Sequence, residues 1–201
     1  MGENYSPDSR VTPEQEARGW LRNHLMTQKL SYSVLPGGHL LPQERREMLQ
    51  LLSRGFRKNY KPVYSRFTDP VHILARLDGK LVSHALWVTR WMQSGDGPML
   101  RTAYVEAVAT DPAYQGKGFA SEVMGVLQAK IQDYELGVLS PATYGFYERL
   151  GWEYWRGAIF IRTESGLLST PYEVMILRLQ HTPTLDLDSP LSAEWRPGEL
   201  W

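Results

Sequence analysis

One stretch restricts the fold of this chain more than any other: a strand, a glycine-bearing loop and a helix follow one another over residues 104–128. The strand, residues 104–109, is apolar except for Glu106. Residues 115–120, QGKGFA, then lead into a helix whose apolar residues recur mostly at helical spacing. The first N–H groups of a helix have no internal partners, and the helix dipole adds positive charge there. The junction therefore predicts a site for an anion such as phosphate.

The spacing of the loop narrows the choice of phosphate ligand. Gly116 and Gly118 leave room for a pyrophosphate close to the backbone, and Lys117 adds a cation. The loop does not fit the P-loop pattern G-x-x-x-x-G-K-(S/T) or the dinucleotide pattern G-x-G-x-x-G. It does fit (Q/R)-x-x-G-x-(G/A), through Gln115, Gly118 and Ala120. The alternative is an ordinary glycine-containing connection into a helix, and the hexapeptide alone does not separate the two.

Composition excludes several classes of function. The chain of 201 residues is long enough for one sizeable core, and its 22 basic and 22 acidic residues cancel. No basic excess therefore points to nucleic acid or a membrane surface, and no apolar run approaches the length of a membrane span. The absence of cysteine excludes disulfides and thiolate chemistry and suits the cytoplasm. The five histidines lack metal-ligand spacing, so we expect no metal.

The order of predicted elements indicates an α+β protein with a single mixed, mostly antiparallel sheet flanked by helices. Helices are predicted over residues 12–28, 42–54, 119–134 and 142–150. Strands are predicted over residues 30–35, 71–76, 81–91, 99–109, 136–140, 152–162 and 172–179. The aromatic and basic stretch 56–69 is either a short broken helix or a flexible loop.

This order, with the hexapeptide in its place, resembles the fold of the GCN5-related N-acetyltransferases after an added N-terminal helix. The resemblance divides the chain into an extension, residues 1–29, and an acetyltransferase domain, residues 30–201. It implies acetyl-coenzyme A (acetyl-CoA) as the co-substrate. The positions that it implies for coenzyme binding are Ala107, Val108, Ala109, Gln115, Gly116, Lys117, Gly118, Phe119, Ala120 and Ser121.

Glu106 is the candidate base. Acetyl transfer to an amine needs a held thioester, a neutral acceptor nitrogen and a proton for the departing thiolate. Strand alternation puts Tyr104, Glu106 and Val108 on one face of the strand. A carboxylate among apolar residues is costly unless it is paired or wet. The functional hypothesis is a base that takes a proton through a water, and the alternative is a carboxylate paired with a structural arginine such as Arg101.

Tyr147 is the candidate acid. Residues 144–152, YGFYERLGW, resemble the family segment in which a helix tyrosine faces the coenzyme sulfur just before a Leu-Gly-Trp or Leu-Gly-Phe ending. The alternative is a core aromatic side chain, since Phe146 and Leu150 also lie at packing spacing.

Residues 104–109, 136–140, 150–152 and 194–201 carry a finer resemblance, to the aminoglycoside 2′-N-acetyltransferases, which covers roughly residues 71–201. It implies that Glu106 is a water-mediated base and Tyr147 the acid. It also implies that the acceptor aminosugar is held by Ser140, Glu173, Glu199 and the carboxylate of Trp201. The activity would confer antibiotic resistance. The partner would be a small-molecule aminosugar, with no nucleic acid or membrane partner, and the protein a possible homodimer.

The identity of the aminosugar stays open at this point. Pro141 replaces a small polar residue of the family, and residues 56–66 match its acidic acceptor side poorly. Both a deoxystreptamine aminoglycoside and kasugamycin are candidates. Two rival functions are an acetyltransferase for another small-molecule amine or a protein N-terminus, and a non-enzymatic CoA-binding regulatory module.

The acceptor role of the C-terminal segment gives a first prediction. Glu199 and the Trp201 carboxylate would bind ammonium groups through charge-assisted hydrogen bonds. Deleting residues 199–201 should raise the KM for the aminosugar about tenfold, which corresponds to about 1.4 kcal/mol. The KM for acetyl-CoA should change little, because the pyrophosphate loop lies elsewhere in the chain. Steady-state kinetics with both substrates varied test this; an equal loss for both substrates would contradict it.

Overall fold

The computed structural model describes residues 29–196. The helix predicted over residues 12–28 lies outside this range, as do Glu199 and Trp201. The division of the chain at residue 29 therefore stays a prediction.

The described residues form ten strands and four α-helices. In chain order these are β1 (Leu30–Pro36), α1 (Pro42–Gly55), α2 (Lys61–Tyr64), β2 (Val71–Leu77), β3 (Lys80–Ser94), β4 (Met99–Thr110), α3 (Phe119–Lys130), β5 (Leu136–Leu139), α4 (Tyr144–Glu148), β6 (Glu153–Tyr154), β7 (Ile159–Thr163), β8 (Gly166–Thr170), β9 (Met175–Arg178) and β10 (Leu191–Glu194). Two short 3-10 helices, Gly37–His39 and Pro112–Tyr114, complete the list.

All ten strands belong to one sheet, in the order β6-β9-β5-β4-β3-β10-β7-β8, and β2 also pairs with β3 and carries β1. Only the β4–β5 and β7–β10 pairs are parallel. The prediction of an α+β fold with one mixed, mostly antiparallel sheet is confirmed.

The two faces of the sheet bury separate cores. Helix α1 begins with Pro42 in its first turn and packs Met48, Leu51 and Leu52 against one face. Helix α3 covers the opposite face with an apolar stripe of its own, which includes Met124 and Leu127. Helices at the period predicted from the sequence thus sandwich the sheet.

The predicted strand over residues 152–162 is wrong, because the chain turns at Gly157 and separates β6 from β7. A Cβ atom at Gly157 would lie 1.9 Å from the carbonyl oxygen of Ser189, so only glycine fits there. Strands β8 and β10 were not predicted. Strand β10 inserts between β3 and β7 with Leu191, Ser192 and Ala193 all buried, and a strand covered on both faces shows no alternation.

Of the two structures predicted for the aromatic and basic stretch 56–69, a short broken helix and a flexible loop, the structure contains the short broken helix. Helix α2 spans four residues. Before it, the rings of Phe56 and Tyr60 stack with centroids 4.7 Å apart. Both side chains face the region beside Glu106.

Strand β4 contains a bulge that changes which side chains share a face. Leu86 faces Glu106 and His84 faces Ala109, so one extra residue lies on β4. Ala107 has a positive φ of 53°. The predicted alternation therefore fails after Glu106: Ala107 packs with the α1-side core, whereas Val108 packs with the α3-side core. An inserted residue reverses the facing of every residue that follows it.

A buried chain of hydrogen bonds ends at this bulge. The Tyr64 hydroxyl lies 3.2 Å from His72 Nε2, His72 Nδ1 lies 3.0 Å from His84 Nε2, and His84 Nδ1 lies 2.9 Å from the carbonyl oxygen of Ala107. Burial, with the nearby charges of His84 and Arg45, lowers the pKa of His72 to about 3. Burial, opposed by the bond to Ala107, lowers the pKa of His84 to about 4.

These two histidines predict a loss of stability in acid. The pKa of an unfolded histidine is about 6.5, so below that pH the unfolded chain binds protons that the folded chain refuses. Their contribution to the free energy of unfolding should be complete above about pH 6.5. Toward pH 4 it should fall by on the order of 1 kcal/mol per pH unit for each histidine. Urea unfolding between pH 7.5 and 4.5 should show a shallower decline for His84→Asn. His181→Gln, at an exposed site, is the control, and equal slopes in the three proteins would contradict the prediction.

Candidate active site

The glycine-bearing loop has the open backbone geometry that an anion site requires, and its role in binding stays a prediction. Gly116 and Gly118 have φ values of 73° and 87°, and no atom lies within 4 Å of a Cβ built at either position. Gly118 is the N-cap of α3, no side chain caps the helix, and its first internal bond runs from the Glu122 N–H to the Gly118 carbonyl. The N–H groups of residues 119–121 therefore have no helical partner and are available to an anion.

A cavity of about 440 Å³ runs from this loop to α4. It is lined by Val108, Ala109, Thr110, Tyr114, Gln115, Gly116, Gly118, Phe119, Ala120, Ser121, Ala142, Thr143, Phe146 and Tyr147. Of the positions predicted to bind the coenzyme, all but Ala107 and Lys117 lie on this surface.

Two of the loop side chains face the protein. The amide nitrogen of Gln115 donates to the Thr110 carbonyl over 3.3 Å and so ties the loop to the end of β4. The ammonium of Lys117 lies 5.0 Å from the centre of the Tyr114 ring, and that of Lys80 lies 4.8 Å from the same ring. The sequence did not single out Lys80, which is the first residue of β3 and adds a second cation near the loop.

A second cavity, of about 240 Å³, lies beyond Tyr147. Its walls include Glu106 from β4, Ser140 after β5, and the segment that carries Phe56 and Lys58. Three residues, Val108, Ala142 and Tyr147, line both cavities. The space exists because parallel pairing of β4 with β5 stops at Tyr104 and Val138, after which the two strands separate.

Tyr147 stands at the boundary of the two cavities. Its ring makes edge contacts with Phe146, at 4.9 Å between centroids, and with Trp152, at 6.2 Å. Burial raises the pKa of its hydroxyl to about 12, so the phenol keeps its proton at neutral pH. The side chain is at once part of the core and part of the cavity wall, so the two interpretations do not exclude each other.

Glu106 is paired with an arginine, but not with Arg101. Its Oε1 atom accepts a hydrogen bond from Arg196 Nη2 at 2.9 Å. The Arg101 guanidinium lies instead over the ring of Tyr134, at 4.1 Å. About a fifth of the Glu106 side chain remains exposed, into the second cavity. The carboxylate is thus both paired and reachable.

The described part of the C-terminal segment lies beside Glu106. Arg90, which is almost fully buried, binds Oε1 of Glu194 and the Glu194 carbonyl, both at 2.8 Å. Arg90, Glu194 and Arg196 line a third cavity of about 430 Å³. The sequence did not mark Arg90 or Arg196 as functional residues. The signal for Arg90 was a cation inside an apolar strand, and no local signal marked Arg196.

Two of the predicted acceptor residues meet near β5. The Ser140 hydroxyl donates to the Glu173 carbonyl over 2.9 Å, and Ser140 lines the second cavity. The Glu173 carboxylate accepts hydrogen bonds from the hydroxyls of Tyr144 and Tyr154. Their roles, and those of Glu199 and Trp201 outside the described residues, stay predictions.

Comparison with known proteins identifies the family. Residues 39–155 match the family described as the acetyltransferase (GNAT) domain, and the chain belongs to this family of GCN5-related N-acetyltransferases. A curated relative is the aminoglycoside 2′-N-acetyltransferase of Mycolicibacterium fortuitum. It is 32% identical over 131 residues, which cover 61% of this chain and 67% of the relative.

Solved structures confirm the fold. The GNAT family N-acetyltransferase YhbS of Escherichia coli, in complex with CoA, superposes with a TM-score of 0.55 at 15% identity, covering 84% of this chain and 91% of that one. A GCN5-related N-acetyltransferase of Kribbella flavida has a TM-score of 0.55 at 19% identity, covering 67% of this chain. The present chain spans only 35% of the length of the Kribbella flavida protein.

Metal-ligand clusters and membrane-spanning helices are both absent from residues 29–196. No group of three or more histidine, aspartate or glutamate side chains there is placed to hold a metal ion. Over the same range, no helix is long and apolar enough to cross a membrane.

The loop geometry predicts the effect of a charge at Gly118. Gly118→Asp places a carboxylate where the open space and the helix N–H groups would receive phosphate, so CoA should bind at least about tenfold more weakly, or about 1.4 kcal/mol. Isothermal titration calorimetry with CoA measures the effect.

Two variants control for backbone strain and for charge alone. Gly118→Asn keeps the shape without the charge, and asparagine tolerates a positive φ better than most residues. Gly125→Asp adds the same charge to an open position on α3 away from the loop. Both should bind CoA more tightly than Gly118→Asp does. Equal CoA affinity in Gly118→Asp and the unsubstituted protein would show that the loop does not bind the coenzyme.

Proposed function

We propose that this protein transfers the acetyl group of acetyl-CoA to the 2′-amine of an aminoglycoside-type antibiotic, either a deoxystreptamine aminoglycoside or kasugamycin, and so confers resistance. One observation carries the proposal: a cavity that ends in an anion site and a cavity that holds a carboxylate meet at the Tyr147 phenol. The relative from Mycolicibacterium fortuitum, named for this activity, supports the choice of acceptor.

The first cavity fits the coenzyme. The open space over Gly116 and Gly118 and the N–H groups of residues 119–121 suit a pyrophosphate, and the cavity continues from there to Tyr147. Coenzyme A supplies an acetyl group activated as a thioester. The protein holds that group where the two cavities join, within reach of an amine in the second.

Proton accounting assigns separate roles to two side chains. The acceptor enters as an ammonium and leaves as an amide, so its nitrogen gives up two protons, while the departing sulfur takes up one. Glu106, open to the second cavity and oriented by Arg196, receives the first of these protons through a water before attack. The second proton leaves the tetrahedral intermediate for solvent water, and solvent also supplies the proton that the sulfur takes up. The Glu106 carboxylate also attracts the ammonium electrostatically before attack.

Tyr147 acts on the sulfur. Burial raises the pKa of this phenol to about 12, whereas the pKa of a simple thiol is about 8.5. Full proton transfer from the phenol to the thiolate would therefore be uphill. Tyr147 stabilises the departing sulfur by donating a hydrogen bond, and the thiolate takes its proton as solvent protons become available through the same cavity.

The acceptor wall favours a second candidate, an acetyltransferase for another small-molecule amine. The described wall of the second cavity carries the aromatic rings of Phe56 and Tyr60 and the ammonium of Lys58 beside Glu106. A polycationic aminoglycoside would thus depend on carboxylates outside the described residues, such as Glu199. A smaller amine with an apolar or acidic body would need only the wall itself.

A panel of acceptors separates the candidates. Thiol release from acetyl-CoA is followed with a deoxystreptamine aminoglycoside, kasugamycin, a simple aromatic amine and a peptide with a free N-terminus. Turnover fastest with one of the antibiotics, together with acetylation at the 2′-nitrogen by mass spectrometry and NMR, supports the proposal. Turnover confined to the aromatic amine supports the second candidate, and CoA binding without thiol release for any acceptor contradicts both.

The two assigned side chains predict different kinetic losses. Glu106→Gln should lower kcat by on the order of 100-fold, most strongly at low pH, where the acceptor is most protonated. Tyr147→Phe should lower kcat by roughly 10-fold with little change in CoA affinity. In the unsubstituted protein the phenol should cause no decline of kcat up to about pH 10, because its pKa lies near 12.

Matched variants control for lost stability. Tyr134→Phe removes the hydroxyl of a buried tyrosine that lines neither of the two cavities, and Glu164→Gln removes a carboxylate from an exposed turn. Both should keep the original turnover per folded molecule, measured by circular dichroism and active-site titration. If Glu106→Gln and Tyr147→Phe behave like these controls, the two residues are structural.

A further inference from the structure

The polarity of the buried hydrogen-bond chain is fixed from one end. The Ala107 carbonyl can only accept, so His84 Nδ1 must carry a proton and donate to it. A neutral His84 then accepts at Nε2, which makes His72 the donor through its Nδ1 proton. His72 in turn accepts at Nε2 from the Tyr64 hydroxyl. The chain therefore runs one way, from the α2 helix through β2 and β3 to the bulge of β4.

We propose that His84 is a positioning residue for acetyl transfer: through its bond to the Ala107 carbonyl it holds the bulge that aims Glu106 into the acceptor cavity. His72 and Tyr64 hold the imidazole of His84 in the donating tautomer. This proposal rests on the proposed function, in which Glu106 is the base. The experiments distinguish a failure of the base role of Glu106 from a failure of the positioning role of His84.

The bulge needs an external support. A residue other than glycine is disfavoured at a φ of 53°, and such a conformation persists only where its surroundings impose it. The His84 bond supplies a directed constraint at this residue, at a site from which solvent is excluded. A second constraint lies two residues on, where the Ser83 hydroxyl is 3.2 Å from the Ala109 carbonyl.

The position of the bulge connects it to the chemistry. Glu106 precedes Ala107, and Val108, which follows, lines both cavities. Without the bulge, the residues after Glu106 would return to regular alternation, so that Ala107 and Val108 would exchange faces. The wall between the two cavities would then change, as would the backbone angle at which Glu106 leaves the strand.

Charge supports a fixed orientation. The titratable and charged groups that face this row of hydrogen bonds are the two histidines themselves and the guanidinium of Arg45. The Arg45 guanidinium lies 5.2 Å from the centre of the Tyr64 ring. A cation on this side and burial on the other both oppose protonation of the imidazoles. The rings stay neutral throughout a normal assay range, so the direction of donation does not reverse.

The test compares two substitutions at His84. His84→Leu removes the donor, whereas His84→Asn can place an amide N–H near the position of Nδ1. With acetyl-CoA and the best acceptor of the panel, His84→Leu should lower kcat about tenfold per folded molecule, and His84→Asn should recover most of it. Leu100→Ala, buried at the other end of β4, is the control for core loss and should keep its kcat.

A double-mutant cycle separates positioning from general support. If His84 acts through Glu106, His84→Leu should lower kcat less than about twofold when Glu106 is already glutamine. Equal fold losses in the two backgrounds would overturn the proposal. So would full activity of folded His84→Leu.

A readout without turnover covers the failure of the proposed function. In NMR spectra, His84→Leu should shift the backbone amide signals of Glu106, Ala107 and Val108, and His84→Asn should restore them in part. If Glu106→Gln has no kinetic effect, the proposed role of Glu106 as a base fails, but these shifts still decide whether His84 holds the bulge. Unmoved signals in His84→Leu would overturn the proposed role of His84. Should His84→Leu not fold, Tyr64→Phe, which removes only the hydroxyl at the far end, should show smaller shifts of the same signals.

Discussion

The rest of the site depends on the point at which β4 leaves β5. Parallel pairing covers only three residues of each strand and ends at Tyr104 and Val138. Beyond it the bulge at Ala107 turns β4, and the backbone that would have paired with β5 faces two cavities instead. A sheet that stayed paired to its end would leave no room between loop and acceptor wall. The candidate chemistry therefore occupies a gap in the hydrogen-bond ladder.

Two electrostatic arrangements face each other across that gap. On one side, the N–H groups at the start of α3, which have no helical partner, and the ammonium groups of Lys80 and Lys117 provide positive charge. On the other side, the Glu106 carboxylate is tied to Arg196, and Arg90 is tied to Glu194. A phosphate-bearing donor would thus meet positive charge at one end of the site, whereas the two ion pairs at the other end are neutral as a set.

The second half of the sheet holds the C-terminal segment in place. Gly157, which no larger residue could replace, lets the chain turn closely past Ser189, and β10 then inserts between β3 and β7. This insertion brings Glu194 to the buried Arg90 and Arg196 to Glu106. The histidine chain reaches the same strand β4 through β2 and β3. The C-terminal segment thus supplies the ion-pair partner of Glu106, and strand β3 supplies the hydrogen bond to the residue that follows it.

The sequence alone determined the features that depend on near neighbours. These include the strand–loop–helix junction at residues 115–120, the helix that carries Tyr147 and the α+β class, because a helix or a turn is decided by residues within about four positions. Only the tertiary structure decided the bulge at Ala107, the insertion of β10 and the pairing of Glu106 with an arginine 90 residues away. Arg101 was the nearer candidate in sequence, but partners across a sheet are chosen by register and packing, which no local pattern records.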